Sequence, residues 1–400
     1  MRCYGIVREL SPDQCQLDGL RSAVGACRFA QNAIIHDVKD RLSKQEQQSW
    51  SSFSLHTRWR EIRSEVAPWY GDVSKEAFQY GAERASLALK NWSSSKKGKR
   101  SGPKIGFPSF RRRGCNDSVR FSSARIRPSG LFVLIPRVGD IHLMERFAIP
   151  DGARLTAVTV RPKAGRWFAT FHVREDDWIK PDKTNIESTI GIDLGVGDRF
   201  ATMSDGSIIE NPRFFRSDAE RLRRAQKSVS RKRKGSNNRL KAVQRVQRVH
   251  FDIANRRADF IHKFTSNVVK SHDEIVIEDL NVKGMSRGGF RLGKSVGDVA
   301  MAEVRRQITY KCEWYGKTLT VVSRWFPSSK MCSTCGNING KLKLSDRVWL
   351  CPCGANHDRD LNAALNLAAS SAVAACGDIS SDDLGRETSV YEAGIMSVRS

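Results

Sequence analysis

Four cysteines in two tight pairs constrain the fold of this 400-residue chain more than any other feature. Cys332 and Cys335 are followed after 15 residues by Cys351 and Cys353, and a glycine closes each pair. Thiolates at these spacings can surround one tetrahedral ion as in a zinc ribbon, so we predict a structural Zn²⁺ site with these four ligands. The second pair, CPC, is one residue shorter than the usual knuckle, which leaves His357 open as a substitute ligand if that pair cannot close.

Three acidic residues occur where strands are predicted to end or a helix to begin. Asp193 lies in IGIDLGVG, where an apolar strand runs into glycines that allow the backbone to turn closely around a ligand. Glu278 closes the apolar run IVIE, and Asp360 precedes LNAA at a predicted helix start. Taken singly, Asp193 could be a turn residue, Glu278 a partner of a nearby arginine, and Asp358 or Asp360 a helix N-cap.

As a set, the three carboxylates predict metal-dependent chemistry. Carboxylates that converge from separate elements cannot all stay ionised unless a cation neutralises them, and Mg²⁺ prefers oxygen ligands. Two such ions about 3.5 to 4 Å apart can stabilise the attacking and leaving oxygens of a phosphodiester. We therefore predict that Asp193, Glu278 and Asp360 are catalytic residues and Mg²⁺ ligands of a two-metal site.

The formal net charge of +25 is concentrated in two segments. Residues 96–127 contain 11 lysines and arginines against 1 acid, and residues 211–270 contain 18 against 4, which leaves the rest of the chain near neutral. Solvated charged faces usually mix signs, so these segments favour binding to a polyanion such as nucleic acid. The candidates for phosphate contacts are Lys96, Lys97, Lys99, Arg100, Lys104, Arg111, Arg112, Arg113, Arg221, Arg223, Arg224, Lys227, Arg231, Lys232, Arg233 and Lys234.

The predicted secondary structure changes along the chain. Periodicity predicts helices over residues 11–45 and about 73–92, followed by an irregular basic loop at 93–117. Short β-type runs from 118 to 177 predict a small antiparallel, barrel-like domain. Beyond this domain strands and helices alternate, which is typical of a mixed α/β fold, and residues 215–270 form a long basic helical segment interrupted at KGSNN.

The motifs, in their order, resemble the TnpB family of transposon-encoded RNA-guided nucleases, which are related to type V CRISPR effectors. The resemblance rests on GIDLG, IVIEDLNVKGM, SSKMCSTCG, CPCG and HDRDLNAALNLA, with GACRFAQNAII and GFPSFRRR upstream. It implies that Asp193, Glu278 and Asp360 are the catalytic acids of a ribonuclease H-like (RuvC) fold. It also implies a zinc ribbon inserted between the last core strand and the helix that bears the third acid.

The resemblance implies a multidomain α+β architecture. Residues 1–10 and 118–185 would form a small β-barrel-like wedge domain, and residues 11–117 a helical recognition module with its basic loop. The RuvC-like α/β nuclease domain would comprise 186–325 and 358–375. The zinc ribbon would occupy 326–357 and bind target nucleic acid, and 376–400 would be a disordered tail.

By the same resemblance, the chain is expected to be an Mg²⁺-dependent endodeoxyribonuclease whose guide RNA selects double-stranded target DNA beside a short flanking motif. An RNA-guided DNA-binding repressor with an inactive nuclease site is an alternative. Loss of one of the three acids would be its mark, and all three are present. An actin-like ATPase shares the GIDLGVG loop but would need a second glycine-rich Asp loop. A transposase-type protein that acts without cleavage by itself is a further alternative.

Two smaller expectations concern aromatic residues and location. Trp325, Phe326 and Trp349 could stack on bases or form the ribbon core, and the core is favoured. The sequence has no run of about 18 apolar residues and no apolar stretch at its N-terminus, so we expect a cytoplasmic, nucleoid-associated prokaryotic protein with no membrane partner. The oligomeric state is left open between monomer and homodimer.

Overall fold

The computed structural model describes residues 1–46, 49–287, 293–343 and 345–374. The described chain forms two compact units, of which the first is Met1–Trp178 and the second begins at Ile179. In these residues, no helix is both long enough and apolar enough to cross a membrane. The tail predicted to be disordered, 376–400, lies outside the described residues.

Three helices belong to the first unit: α1 (Gln14–Ser43), α2 (Ser52–Val66) and α3 (Lys75–Lys96). Each follows a residue whose side chain accepts a hydrogen bond from an otherwise unpaired backbone N–H, namely Asp13, Ser51 and Ser74. The helices α1 and α3 confirm the predicted ones, although Asp13 rather than the preceding Ser-Pro pair caps α1. The helix α2 has no counterpart in the sequence prediction, because it buries only Leu55 and Trp59.

Seven antiparallel strands form one sheet in the first unit. They are β1 (Arg2–Ser11), β2 (Val119–Phe121), β3 (Arg125–Ile126), β4 (Phe132–Ile135), β5 (Gly139–Leu143), β6 (Ala153–Lys163) and β7 (Arg166–Glu175). Their order is β2-β6-β7-β1-β5-β4-β3, so the first strand of the chain lies at the centre. The edge strands β2 and β3 do not pair with each other among the described residues, so the sheet is open where a barrel-like one was predicted. Buried side chains such as Phe121 and Phe171 form one core with α1 and α3.

The second unit is built on a five-stranded sheet. Its strands are β8 (Thr189–Leu194), β9 (Arg199–Met203), β10 (Ile208–Glu210), β11 (Glu274–Glu278) and β12 (Thr318–Val322). In the order β10-β9-β8-β11-β12, the first three along the chain form an antiparallel meander, whereas β11 is parallel to β8 and β12 to β11. Parallel neighbours need crossover connections, which here contain helices.

The helices of the second unit are α4 (Phe214–Ser217), α5 (Ala219–Ser230), α6 (Asn237–Ser271), α7 (Val282–Arg287), α8 (Gly293–Val299), α9 (Met301–Tyr315) and α10 (Arg359–Ala374). The basic segment folds into α5 and α6, where Leu222 packs against Val249 and Ile253. The turn between them ends at Ser236, the N-cap of α6, and overlaps the predicted interruption at KGSNN.

A small module that contains the four cysteines lies between β12 and α10. It includes an antiparallel hairpin of β13 (Val348–Leu350) and β14 (Asn356–Asp358), in which Trp349 pairs with His357. The strand β14 runs directly into α10, so the module and the helix are continuous.

Candidate active site and cysteine metal centre

Two of the three predicted acids stand at the same edge of the sheet. Ile192 of β8 pairs with Ile277 of the parallel strand β11, so Asp193 and Glu278 follow at the next position of each strand. Both strands run in the same direction, and both acids therefore lie near the carboxyl ends of adjacent strands, where open α/β sheets usually bind ligands. Both side chains are half-buried.

The third acid is brought to this edge by the packing of α10 against β8. A Cβ atom added to Gly191 would lie 2.1 Å from the carbonyl oxygen of Ala364 and 2.6 Å from the nitrogen of Ala368, so the helix backbone rests directly on this glycine. Asp360 lies four residues, about one helical turn, before Ala364, and Asp193 lies two residues after Gly191. The close contact thus positions both acids at the same end of β8.

Two glycines of IGIDLGVG, Gly191 and Gly195, allow close contact between backbones. Gly191 does not turn the backbone around a ligand, because it lies within β8 and serves the helix contact. A Cβ added to Gly195 would lie 2.6 Å from the carbonyl oxygen of Arg199, so this glycine is required by the tight β8–β9 hairpin. Close approach of two backbones explains both positions.

Burial and neighbouring acids raise the pKa values of two of the carboxylates, Asp193 and Glu278. Burial raises the pKa of Asp193 to about 7, the charges of Asp360 and Glu278 add to the shift, and Arg359 and Arg347 oppose it. Burial, with a contribution from Asp279, also raises the pKa of Glu278. Within the described residues neither Asp193 nor Glu278 forms an ion pair. Asp193 and Glu278 are thus partly buried acids, and burial of this kind disfavours their charged forms.

Two arginines from other parts of the chain reach the end of β11, where they bind Asp279 and not Glu278. Asp279 accepts hydrogen bonds from the guanidinium groups of Arg305 and Arg324. The alternative that Glu278 is merely a strand-end carboxylate paired with an arginine is therefore wrong for Glu278 and describes Asp279 instead.

Asp358 and Asp360 have different roles although they are two residues apart. Asp358 Oδ1 accepts hydrogen bonds from the backbone N–H groups of Asp360 and Leu361, at 3.0 and 3.1 Å, and both its oxygens accept from Arg199 at 2.8 Å. Burial would raise the pKa of Asp358, but these hydrogen bonds outweigh it and hold the pKa below its usual value. Asp358 is thus the cap of α10, which leaves the Asp360 side chain for another role.

Asp360 is flanked by two guanidinium groups. Arg347 Nη1, from the cysteine module, lies 3.4 Å from both carboxylate oxygens, and Arg199 Nη1 lies 3.6 Å from Oδ2. The backbone N–H of Arg359 donates to the carbonyl of Arg347 at 2.8 Å, which ties the module to the first turn of α10.

The four cysteine sulfurs form a group that can hold a metal ion. Sγ of Cys332, Cys335, Cys351 and Cys353 all lie within 4.8 Å of one another, including 3.8 Å from Cys332 to Cys353 and 3.6 Å from Cys335 to Cys351. The short CPC pair therefore does bring both of its sulfurs to the centre. In the described part of the chain, the three carboxylates do not come within this same limit of one another.

His357 stands beside the sulfur group and is not needed to complete it. Its Nε2 lies 3.0 Å from Cys332 Sγ, and its ring packs against Trp349 with centroids 4.8 Å apart. Burial would raise the pKa of Cys332, but the N–H groups of Cys335 and Thr334, together with His357, lower it to about 5. A thiol with so low a pKa is prepared to bind a cation as the thiolate.

Sequence reasoning missed two asparagines that join the cysteine module to α10. Asn362 and Asn366 are buried, and both side-chain amides donate to the carbonyls of Ser328 and Met331, Asn366 at 2.7 and 2.6 Å. The backbone N–H of Ser333 in turn donates to Asn362 Oδ1 at 2.9 Å. The i,i+4 spacing of two asparagines in an otherwise apolar helix was the available signal.

The aromatic residues of the module divide between core and surface. Trp349 is buried with Cys332 and Cys351, which confirms the expectation for this residue. Phe326 is half-buried. For Trp325 the expectation was wrong, because its side chain is 86% exposed.

The predicted phosphate-binding residues lie in both units, and they differ in their ion pairing. Arg221 contacts Asp218, which precedes α5, and Asp252 of α6, while Arg223 and Arg224 share Glu220 of α5, so acids partly neutralise these three arginines. In the described residues, the other candidates form no ion pair, including the turn residues 231–234 and those of the loop 96–113. The unpaired cations are the better candidates for phosphate contacts.

The chain matches two sequence families. Residues 168–288 match OrfB_IS605, described as a probable transposase, and residues 302–367 match the Cas12f1-like TNB domain. The second match contains both the cysteine module and the start of α10 with Asp360.

Three bacterial relatives carry the name "Putative RNA-guided DNA endonuclease". A protein of Streptomyces pristinaespiralis is 48% identical over 232 residues, which cover 58% of this chain and 56% of that protein, or about half its length. A protein of Mycobacterium tuberculosis is 33% identical over 394 residues, which cover 90% of this chain and 84% of the relative. InsQ of Escherichia coli is 29% identical over 395 residues and 93% of each chain.

Two solved structures share the fold. Cas12f1, in its complex with sgRNA and target DNA, aligns with a TM-score of 0.50 at 14% identity, over 88% of this chain and 82% of that chain. The mini-RNA-guided endonuclease CRISPR-Cas phi3 aligns with a TM-score of 0.51 at 9% identity, over 92% of each chain. The mycobacterial relative is similar over nearly the full length of both proteins, and the family matches fall on the sheet, the cysteine module and α10. The chain therefore belongs to the TnpB family of transposon-associated proteins.

Proposed function

We propose that this chain is an RNA-guided endonuclease that hydrolyses phosphodiester bonds of target DNA at Asp193, Glu278 and Asp360. The observation that carries the proposal is the position of these acids at the carboxyl ends of β8 and β11 and in the first turn of α10. The names of relatives 29 to 48% identical support the RNA-guided reaction.

The five-stranded sheet is the core of a ribonuclease H-like (RuvC) domain in this proposal. Its order places β8 at the centre, and within the described sheet only β9 runs antiparallel to the other strands. The cysteine module between β12 and α10 occupies the place where the family inserts its zinc ribbon.

The carboxylates fit a pair of Mg²⁺ ions. Their oxygens are hard ligands, and burial together with neighbouring acids raises the pKa values of Asp193 and Glu278, an effect that a bound divalent cation would offset. Bound Mg²⁺ would activate water for attack and stabilise the leaving oxygen. Asp193 would give up its proton as the cation binds, and Asp360 would exchange its contact with Arg347 for the cation. Asp358 would keep α10, and hence Asp360, in place.

The four cysteine sulfurs fit Zn²⁺, which favours tetrahedral thiolate sites. Zinc at this centre would stabilise the module locally, because structural zinc sites supply much of the folding free energy of such small modules. Asn362 and Asn366 of α10 donate hydrogen bonds to the carbonyls of Ser328 and Met331. An ordered module would therefore also fix the position of α10.

Guide RNA and target DNA would share the basic surfaces. The unpaired cations of the loop 96–113 and of the turn 231–234 would contact phosphates, which carry no sequence information. Pairing between guide and target would supply specificity, while the first unit, with its sheet as wedge and its helices as recognition module, would read a short flanking motif.

The test is a guide-swap experiment in Mg²⁺. The protein, freed of RNA, receives one of two guides, and each complex is offered matched and swapped DNA targets. We expect cutting only of the matched target. Cutting without RNA, or cutting that ignores the swap, would leave a plain metal-dependent nuclease in place of the proposed one.

Isosteric variants test the three acids in the same assay. Asp193→Asn, Glu278→Gln and Asp360→Asn should each lose cleavage by at least about 100-fold while retaining DNA binding, because each removes a metal-binding charge and no phosphate contact. Asp358→Ala should be milder, and Asp205→Asn, on the exposed β9–β10 turn, is the matched control and should cut normally. Full activity of Asp360→Asn together with loss in Asp358→Ala would show that the wrong carboxylate has been assigned.

A further inference from the structure

Trp325 is the most exposed large hydrophobic side chain among the described residues. Its exposed fraction is 86%, although it follows β12 by only three residues and precedes Cys332 by seven. Single exposed hydrophobic residues are common, so the exposure acquires meaning only from its place in the fold and from its neighbours.

Trp325 lies next to the carboxylate edge of the sheet. Val322, the last residue of β12, pairs with Glu278 of β11, and Trp325 follows Val322 by three residues. Three residues of extended chain reach at most about 10 Å. Because paired strands lie about 5 Å apart, the Cα of Trp325 is within roughly 15 Å of the Cα of Glu278.

The turn that carries Trp325 is held on both sides. Before it, the backbone N–H of Asp279 donates to the carbonyl of Val322 at 2.9 Å, and the guanidinium of Arg324 binds the Asp279 carboxylate. Within it, the N–H of Phe326 donates to the carbonyl of Ser323 at 2.9 Å. The anchored backbone fixes the point from which the ring is presented to solvent, which lowers the cost of ordering this turn when a partner binds.

The charges around this turn favour a phosphate-bearing partner. Arg305 and Arg324 share the single carboxylate of Asp279, so this group retains one positive charge. Lys330, a few residues further on, is exposed and forms no ion pair among the residues that the structure describes. A ring bordered by unbalanced cations and close to a nuclease site matches the requirements of single-stranded nucleic acid, in which phosphates and exposed bases alternate.

We propose that Trp325 stacks on a base of the unpaired DNA strand that enters the carboxylate site, and that it thereby positions the phosphate to be cut. The inference rests on the proposed nuclease function. When guide RNA pairs with one DNA strand, the other is displaced and its bases are free to stack. At about 3.4 Å per nucleotide along a strand, a reach of at most about 15 Å places the stacked base within about four nucleotides of the cut. Trp325 is a positioning residue, because it touches the substrate strand away from the reacting atoms.

Cleavage kinetics of the guide-loaded protein are the first test. Trp325→Ala should raise KM for a target that carries an unpaired region, with a combined loss of about 5- to 100-fold in kcat/KM, which is the range of base–aromatic stacking. Trp325→Phe should recover most of this loss because it retains an aromatic face. The matched control is Tyr315→Ala, which removes an exposed aromatic side chain that precedes β12 by three residues, and it should leave kcat/KM unchanged.

A spectroscopic test does not depend on cutting. 2-Aminopurine is placed at successive positions of the displaced strand, and Ca²⁺ replaces Mg²⁺ so that the strand stays intact. Stacking on Trp325 should quench the fluorescence at one or two adjacent positions, and this quenching should disappear in Trp325→Ala and persist in Trp325→Phe.

Three results would overturn the inference: unchanged kcat/KM in Trp325→Ala, equal losses in the alanine and phenylalanine variants, or no position whose quenching depends on Trp325. A lower melting temperature or a loss of zinc in Trp325→Ala would assign the residue a structural role and would also overturn it. Failure of the wild-type protein to cut with its guide would refute the proposed function, while the quenching experiment would still decide the role of Trp325.

Discussion

Replacing Gly191 by alanine tests the contact that places the third acid. The added Cβ would lie 2.1 Å from the carbonyl oxygen of Ala364, about 1.4 Å closer than an ordinary contact of about 3.5 Å. The obstructing atoms belong to the backbone of α10, so no change of rotamer can relieve the contact. The helix must therefore move away from β8 by roughly 1 Å or more, and Asp360, one turn before Ala364, must move with it.

The displacement gives two expected magnitudes. A misplacement of about 1 Å at a catalytic group can cost about 100-fold in rate, so we expect kcat for target cleavage to fall by about 100-fold in Gly191→Ala. Overpacking of a core costs about 1 to 3 kcal/mol, and a unit of this size loses about 2 to 4 °C in melting temperature per kcal/mol. Binding of guide RNA, measured by filter retention, should not change, because the glycine is buried beneath α10.

Gly197→Ala is the matched control, since it changes another glycine of the same motif. A Cβ added there would meet only the Arg347 side chain at 3.5 Å, which is an ordinary contact. This variant should cut at close to the wild-type rate. Cleavage and melting temperature in Gly191→Ala within error of Gly197→Ala would refute the argument that backbone contact between β8 and α10 positions Asp360.

Three further predictions concern the module and the acids. Asn366→Leu should weaken the attachment of the cysteine module by about 1 to 3 kcal/mol, because it removes a buried donor to the carbonyls of Ser328 and Met331. Zinc should be released from this variant at a lower temperature than from the control Leu365→Asn, which lies on the exposed side of α10. Equal release temperatures in the two variants would count against this role of Asn366. Cys351→Ser should reduce the zinc content, measured by elemental analysis, from about one ion per chain to near zero. The control Cys115→Ser changes an exposed thiol and should leave the zinc content unchanged. Retained zinc in Cys351→Ser would exclude the four-sulfur site. Because burial and neighbouring acids raise the pKa of Asp193 to about 7, Asp193 is increasingly protonated as the pH falls below 7, and Mg²⁺ must then displace the proton. The Mg²⁺ concentration for half-maximal cleavage should rise by up to about tenfold per pH unit below 7 and should be constant above pH 7. A half-maximal concentration that is the same at pH 6 and pH 8 would contradict this account.

Local signals in the sequence were sufficient for most of the elements and for the four cysteines that meet in space. Cysteine spacing alone indicated the four sulfurs that meet within 4.8 Å, because knuckle ligands are close in sequence as well as in space. Apolar runs that end in Asp193 and Glu278 indicated β8 and β11, since buried parallel strands are continuously apolar. The helix α2 was missed because its periodic signal comes from only two buried residues.

Assignments that depend on distant neighbours required the tertiary structure. Sequence could not choose between Asp358 and Asp360 as the cap of α10, because the choice depends on Arg199, which is about 160 positions away. Nor could it show that Arg221 of α5 pairs with Asp252 of α6, which is 31 positions away.

The sequence by itself determined which residue types were available for metal, phosphate and core, because composition, spacing and periodicity are properties of short stretches of chain. Only the tertiary structure decided that Gly191 contacts the backbone of α10, that Asn362 and Asn366 bind the cysteine module, and that Trp325 is exposed. Each of these depends on the atoms that meet a residue from elements remote in sequence. Burial and close contact arise when strands and helices pack, and the residue types in one segment do not specify which partners the other segments will bring.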